Sequence, residues 1–290
     1  MDSISQFCAA HSLDASGDYS NIVIPLSATT ECHDLVSRVL CDAIGDSPKQ
    51  NVLAIAYGNI VGRIHEHAEA MLVCIATNAY ASAEVLARTV LESSVNLSFK
   101  VKHDLEAPLI AYFKRWLSSH RQTLTDWKKH ETQLGDPDGT KRIVEARLEW
   151  LANLETFLDS LIKELSLDNG ASPHLWPRKI FKRFEDVGQQ STYYTSYHRL
   201  SSASHALAED TLLYLQAFTR SDAKALQELG VVAISYSVMM SYIATISVTQ
   251  AFESLAQFYQ PNLERNCFHM HRTQLENEIS SIAAAAGCIK

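Results

Sequence analysis

Glycine and proline are scarce in this chain of 290 residues, which contains 10 and 7 of them. Because both residue types interrupt helices, their rarity favours long helices with few breaks. The chain also lacks alternating apolar and polar runs long enough to indicate a strand, and it has no long linker. We therefore predict an all-α multi-helix bundle of seven to nine helices, with an irregular N-terminal lead-in over 1–28 and a single all-helical domain over 29–290.

Several catalytic and metal-binding motifs are absent. The chain contains no P-loop, no G-x-G-x-x-G, no G-x-S-x-G and no H-E-x-x-H, which excludes the sequence signatures of the common nucleotide-binding proteins, hydrolases and zinc proteases. The missing Glu-x-x-His pair argues against a di-iron bundle. Cys267, His269 and His271 would suit a metal only in an extended segment, whereas they lie near a predicted helix start. We expect no metal and no cofactor.

The cysteines and the net charge restrict the setting and the partners. The six cysteines are scattered without a C-x-x-C pair, which is typical of free thiols in a reducing compartment. The first thirty residues lack the order of a secretory signal peptide, so we expect a cytoplasmic protein. The formal net charge of −8 provides no global field that attracts nucleic acid, so any polyanion must bind at a local patch.

Charged residues are also missing from 231–250, VVAISYSVMMSYIATISVTQ. A stretch of about 20 residues fits a bilayer span. Four serines, two tyrosines, two threonines and no leucine equally suit a helix that is buried on all sides within a bundle. We expect the buried helix and no membrane insertion.

Two charges stand in the otherwise apolar segment ARTVLESSVNLSF, 87–99. Arg88 and Glu92 are four residues apart, so on a helix they lie on one face, and Asn96 extends that face by one turn. Buried charges need a partner or a polar cavity. The pair is therefore either a structural ion pair that sets helix register or part of a functional cleft.

The most polar segment of the chain is YYTSYHRLSSASH, 193–205. On a helix, Arg199 lies about 120° from His205. A histidine can act as general acid or base and an arginine can hold a phosphate, but the same residues can also form hydrogen bonds across a helix interface. Four side chains share one helical face, namely His198, Ser202, His205 and Glu209.

A basic cluster lies just upstream. Residues 176–205 contain five basic and two acidic residues, a local charge of +3. The cluster could hold a polyanion, or it could be a solvated helix face. Its members are Arg178, Lys179, Lys182 and Arg183.

Two motifs together resemble those of bacterial all-helical proteins of unknown function. The first, R-[ST]-x-x-E-x-x-x-N, is represented by Arg88, Glu92 and Asn96. The second, Y-R-x-L-S-x-x-x-H, is represented by Tyr197, Arg199, Leu200, Ser201 and His205, with His198 as an additional residue after the tyrosine. The resemblance covers roughly residues 50 to 215.

The Arg199–His205 spacing is also similar to the R-x4-6-H signature of the HEPN superfamily, helical domains that include many metal-independent ribonucleases. The resemblance implies a HEPN-like fold, usually dimeric, in toxin–antitoxin or anti-phage systems. It implies that Arg199 holds the scissile phosphate and His205 assists attack by the ribose 2′-hydroxyl, with Arg88 or Glu92 as support. The basic cluster would lie on the RNA path.

We therefore hypothesise a metal-independent endoribonuclease of toxin or defence type. Its expected partners are RNA, an antitoxin or defence protein, and a second copy of the chain. The alternative is a non-catalytic helical bundle that binds a nucleotide or a partner protein through the same polar cleft. The first hypothesis needs Arg199 and His205 in an accessible cleft, whereas the second does not.

Overall fold

The computed structural model describes residues 3–14, 16–130, 136–170, 175–203, 208–219 and 223–285, without the side chains of 137, 202, 203, 208–210 and 285. Every regular element in these ranges is a helix, so the all-α prediction is confirmed. The helices are α1 (Ser3–His11), α2 (Val23–Asp42), α3 (Pro48–Ala76), α4 (Tyr80–Lys102), α5 (Glu106–Lys129), α6 (Pro137–Glu164), α7 (Ile180–Asp186), α8 (Gln190–Thr192), a π-helical segment (Tyr193–Tyr197), α9 (His198–Ala203), α10 (Ala208–Thr219), α11 (Ala223–Tyr259) and α12 (Asn266–Ala285).

The described helices outnumber the predicted seven to nine, partly because the N-terminal region is more regular than expected. Residues 1–28 were expected to be irregular, yet they contain α1 and the beginning of α2. Phe7 and Cys8 of α1 are buried, and α1 packs against α2. Burial of these two side chains stabilises α1. The polar residues around them made this segment look irregular in the sequence.

The chain divides into two compact units, whereas we predicted a single domain over 29–290. The first unit comprises Met1–Ile44, Ala54–Phe99 and Ile180–Lys290, and the second comprises Gly45–Leu53 and Lys100–Lys179. Helices α3 and α4 each contribute residues to both units. The sequence conceals this division because no linker separates the two units.

The first unit is built around α11, which packs against α2 and α12. From Tyr236 to Ala256 most residues of α11 are buried, in agreement with a core helix. Its hydroxyl groups bond to carbonyl oxygens one turn earlier, which allows serine and threonine to be buried in a helix. Such bonds are made by Ser237, Ser241, Thr245 and Thr249.

Among the described helices, α11 also has the length and apolar composition that would allow it to cross a membrane. In its most apolar window, 44% of the residues are buried within the protein. A core helix of a soluble protein has the same two properties.

The second unit is an antiparallel pair of long helices, α5 and α6. Residues seven apart on each helix form a buried seam, as in a coiled coil. The seam consists of Ile110, Leu117 and Leu124 from α5 and Val144, Leu151 and Leu158 from α6. The second unit also contains Lys100, which is 3% exposed. Its ammonium lies 4.4 Å and 4.5 Å from the ring centroids of Tyr112 and Trp176.

Candidate functional site

Helix α4 carries two charged side chains into a largely apolar environment in the first unit. Val90, Leu91 and Val95 are fully buried beside them. Arg88 and Glu92 themselves are partly buried, one helical turn apart. The sequence predicted that these two residues need polar partners, and the structure identifies such partners.

Tyr197 is the partner that Arg88 and Glu92 share. Its hydroxyl donates a hydrogen bond to Glu92 Oε2 at 2.8 Å and accepts one from Arg88 Nη2 at 3.3 Å. The Arg88 guanidinium also lies 5.4 Å from the centroid of the Tyr197 ring. These contacts connect α4 to the end of the π-helical segment across more than one hundred residues of sequence. We call Arg88, Glu92, Arg183 and Tyr197 the tyrosine cluster.

Arg183 of α7 completes the tyrosine cluster. Its Nη2 atom lies 3.9 Å from Glu92 Oε1, and the residue is 6% exposed. From its sequence position, Arg183 is expected in a basic cluster on the RNA path. Arg183 is therefore not part of an exposed basic patch. Its buried guanidinium is instead stabilised by the nearby Glu92 carboxylate.

The electrostatics of the cluster keep the Tyr197 hydroxyl protonated. Burial, followed by the hydrogen bond to the Glu92 carboxylate, raises the pKa of Tyr197 above its usual value. The hydroxyl is therefore a fixed donor and not a base near neutral pH. A fixed donor of this kind can orient the residues that follow Tyr197 in the chain, but it cannot accept a proton in a reaction.

The π-helical segment Tyr193–Tyr197 explains how the tyrosines are arranged. The backbone N–H of His198 bonds to the carbonyl of Tyr193, five residues earlier, so this turn contains one extra residue. The rings of Tyr193 and Tyr197 stack at 5.5 Å, and Phe184 of α7 packs against both. The segment therefore holds an aromatic wall next to the tyrosine cluster.

Helix α9 follows the π-helical segment and has one buried face and one exposed face. Leu200 is fully buried, whereas His198 and Arg199 are exposed and Ser201 is partly buried. The Arg199 guanidinium lies 4.2 Å from the ring centroid of Tyr236 on α11. Arg199 forms no ion pair with any carboxylate in the described part of the chain. An exposed guanidinium that lies over an aromatic ring retains its N–H donors for a ligand.

The remaining predicted site residues have different positions. Asn96 is partly buried, and its Oδ1 atom has no hydrogen-bond partner among the described residues. His205 lies outside the described residues, as do the side chains of Ser202 and Glu209. The structure therefore brings Arg88, Glu92 and Tyr197 together, and it leaves the Arg199–His205 pair as a prediction.

The exposed members of the basic cluster belong to different units. Lys182 lies in the first unit, where its ammonium pairs with Glu185 at 2.6 Å. Arg178 and Lys179 lie at the end of the second unit and are exposed.

Sequence reasoning missed two features. One is Tyr236, whose contact with Arg199 joins positions 37 residues apart on different helices. The other is a set of exposed apolar side chains on α10 and the first part of α11, which the leucine-rich run of α10 could have indicated. We call them the α10–α11 residues, namely Leu212, Leu213, Tyr214, Leu215, Phe218, Val231, Val232 and Ile234.

The second unit has a separate apolar groove between α5 and α6, with a volume of about 360 Å³. Apolar side chains dominate its walls, so it differs in chemistry from the polar cleft predicted around Arg88 and Glu92. Its lining includes Tyr112, Phe113, Trp116, Leu154, Phe157 and Leu161.

The fold and the tyrosine cluster define an all-helical protein with a polar site between helices distant in sequence. Residues 55–223, more than half of the chain, match the model of a family described as a family of unknown function, DUF5677. The chain belongs to this family. No curated protein and no solved structure matches the chain.

Proposed function

We propose that the protein is a HEPN-like, metal-independent endoribonuclease of toxin–antitoxin or anti-phage defence type that acts in the cytoplasm. The observation that carries the proposal is the exposed Arg199 guanidinium, which Tyr236 holds at 4.2 Å. A guanidinium fork is suited to a phosphate diester, because it donates two parallel hydrogen bonds to the phosphate oxygens.

In the proposed reaction His205 removes the proton from a ribose 2′-hydroxyl. The 2′-oxygen attacks the adjacent phosphorus, the bond from phosphorus to the 5′-oxygen breaks, and the leaving oxygen takes up a proton from water. The products are a 2′,3′-cyclic phosphate and a 5′-hydroxyl end. Arg199 stabilises the negative charge that builds up on the phosphate oxygens during attack.

The tyrosine cluster supports this chemistry indirectly. Tyr197 directly precedes α9, and its hydroxyl is held by Arg88 and Glu92 at 3.3 Å and 2.8 Å. Fixing the start of α9 fixes the direction of Arg199, two residues later. We assign Arg88, Glu92 and Tyr197 as positioning residues, since none of them needs to touch the RNA.

The α10–α11 residues support the dimer that the HEPN resemblance implies. Leu212 and Phe218 are 65% and 60% exposed. A second copy of the chain that packs against α10 would bury apolar side chains that otherwise face solvent. The exposed residues Arg178, Lys179 and Lys182 remain candidates for RNA contacts, and an antitoxin or defence protein remains the proposed regulatory partner.

The alternative is a non-catalytic protein that binds a nucleotide or a partner protein. The observation that favours it is that Glu92 already accepts the Tyr197 hydroxyl and pairs with Arg183, so its carboxylate is engaged within the chain. Such a site would bind a ligand through Arg199 without cleaving it.

The test compares RNA cleavage by the wild type and by Arg199→Ala, Arg199→Lys and His205→Ala, in the presence of a chelator. The matched control is His269→Ala, which removes an exposed histidine of α12 outside the predicted site. We expect cleavage by the wild type and the control, loss in the other variants, and resistance of a 2′-O-methyl substrate. Equal activity of all variants would reject the nuclease. RNA or nucleotide binding without cleavage by the wild type would support the alternative.

The dimer has its own measurement. Light scattering should give twice the chain mass for the wild type and one chain mass for Leu212→Glu with Phe218→Glu. A monomeric wild type would reject the proposed dimer.

A further inference from the structure

A second group of polar side chains lies where α12 packs against α2, apart from the tyrosine cluster. One ligating atom from each of Glu31, Cys267 and His271 lies within 4.8 Å of the other two. A carboxylate, a thiol and an imidazole are three different metal-ligand types. They come from helices separated by more than two hundred residues of sequence.

Helix geometry explains why the three side chains meet. Cys267 and His271 are four residues apart in α12, so they lie on the same helical face. Helix α2 packs against α12 and contributes Glu31. The Nε2 atom of His271 lies 3.1 Å from Glu31 Oε2. This set was not predicted from the sequence, because the metal interpretation of 267–271 required an extended segment.

Burial makes His271 the unusual member. The residue is 2% exposed, and its Nδ1 atom has no hydrogen-bond partner in the part of the chain that the structure describes. Its other nitrogen points at Glu31, whose side chain is 51% exposed. A buried imidazole that faces a solvent-accessible carboxylate and a thiol has the chemistry of an ion site with an open entry.

The surroundings of the three side chains also favour metal binding. The Ser27 hydroxyl donates a hydrogen bond to Glu31 Oε1 at 2.8 Å, which leaves Oε2 directed at His271. A hydrogen bond of this kind orients a ligating carboxylate. The buried thiol of Cys32 lies beside that of Cys267. The nearby Arg272 side chain is paired with Glu253 and therefore does not oppose a cation strongly.

We propose that Glu31, Cys267 and His271 form a Zn²⁺ site that joins α2 to α12. Thiolate, imidazole and carboxylate are the ligands that Zn²⁺ takes in proteins, in a tetrahedral arrangement. On binding, the Cys267 thiol releases its proton to solvent, and Nε2 of His271 and Oε2 of Glu31 turn from each other to the ion. The fourth position is taken by water or by the Cys32 thiolate. The site is independent of the proposed nuclease.

Cobalt titration of the metal-free full-length protein tests the proposal. Co²⁺ bound to a thiolate gives a charge-transfer absorption band that Zn²⁺ then abolishes by displacement. We expect one equivalent of Co²⁺ to produce this band in the wild type. Cys267→Ser should remove the band, and Glu31→Gln and His271→Ala should weaken Co²⁺ binding at least about tenfold.

Two matched controls separate the site from adventitious thiol or imidazole binding. Cys41→Ser changes an exposed cysteine of α2, and His269→Ala changes an exposed histidine of α12. Both should bind Co²⁺ like the wild type. A Cys32→Ser variant distinguishes the fourth ligand, because loss of part of the band assigns it to Cys32 and an unchanged band assigns it to water.

The melting temperature shows whether a variant fails to bind the metal because it has lost a ligand or because it has misfolded. Zn²⁺ should raise the melting temperature of the wild type more than that of Cys267→Ser or Glu31→Gln, and both variants should still melt cooperatively without the metal. If His271→Ala unfolds, these two variants decide. Absence of the band in the wild type, its persistence in Cys267→Ser, or its loss in Cys41→Ser would overturn the proposal.

Discussion

Replacing Tyr197 by phenylalanine removes one hydroxyl from the tyrosine cluster and leaves the ring in place. That hydroxyl donates to Glu92 at 2.8 Å and accepts a longer bond from Arg88 at 3.3 Å. A hydrogen bond to a charged group contributes about 1.5–3 kcal/mol. Because the Glu92 side chain is 36% exposed, water can replace part of this bond. We therefore expect Tyr197→Phe to reduce the free energy of unfolding by about 1–2 kcal/mol.

Urea unfolding followed by circular dichroism and by tryptophan fluorescence measures this loss. The four tryptophans, Trp116, Trp127, Trp150 and Trp176, all lie in the second unit, whereas Tyr197 lies in the first. Circular dichroism reports on the helices of both units, so the two probes together assign the shifted transition. Tyr194→Phe is the matched control, because Tyr194 is 64% exposed and a surface change should alter stability by less than about 0.5 kcal/mol.

A double-mutant cycle with Glu92→Gln tests the contact itself. If the hydroxyl acts through Glu92, the double variant should be less destabilised than the sum of the single variants, by about 1 kcal/mol. The same circular-dichroism midpoint for Tyr197→Phe and Tyr194→Phe, or strict additivity with Glu92→Gln, would refute this account of the cluster.

Two further predictions concern a close backbone approach and a partly buried histidine. Gly170 has φ +56°, and a Cβ there would lie 2.7 Å from Ala107 O and Ala111 N, so Gly170→Ala should cost more than about 2 kcal/mol by tryptophan-monitored unfolding. Gly188→Ala, at φ +76° with open space around it, should cost only about 1–2 kcal/mol, and equal losses would contradict the proposed clash. Burial, aided by the stacked His33, lowers the pKa of His65 to about 4 from 6.5. Between pH 6.5 and pH 4 the unfolded chain binds a proton at His65 that the folded chain does not bind. The free energy of unfolding should therefore fall by about 2–3 kcal/mol on acidification from above pH 6.5 to pH 4.5. His65→Gln should remove that part of the pH dependence in unfolding experiments, and an unchanged pH profile would contradict it.

Local composition and periodicity carried much of the fold. The seven-residue spacing of Val144, Leu151 and Leu158 identifies one side of the α5–α6 seam from the sequence alone, because an amphipathic helix displays its buried face directly. The boundary between α3 and α4 is also visible in the sequence, where Asn78 is a residue typical of helix ends. Asn78 has φ +60° and lies two residues after Ala76, the last residue of α3, in a left-handed conformation that asparagine tolerates. These features depend on residues within a few turns of one another.

The site shows the boundary between sequence and tertiary structure most clearly. Composition and helical spacing are enough to show that Arg88 and Glu92 need polar partners on a buried helix, and that 193–205 carries an excess of polar groups. The identity of the partners follows from helix packing: Tyr197 bridges the two charges, Arg183 is buried beside Glu92, and Tyr236 contacts Arg199. Helix packing likewise decided that Glu31 meets Cys267 and His271. The physical reason is that helical periodicity specifies which side of a helix is buried, whereas the partner across the interface depends on how distant helices pack.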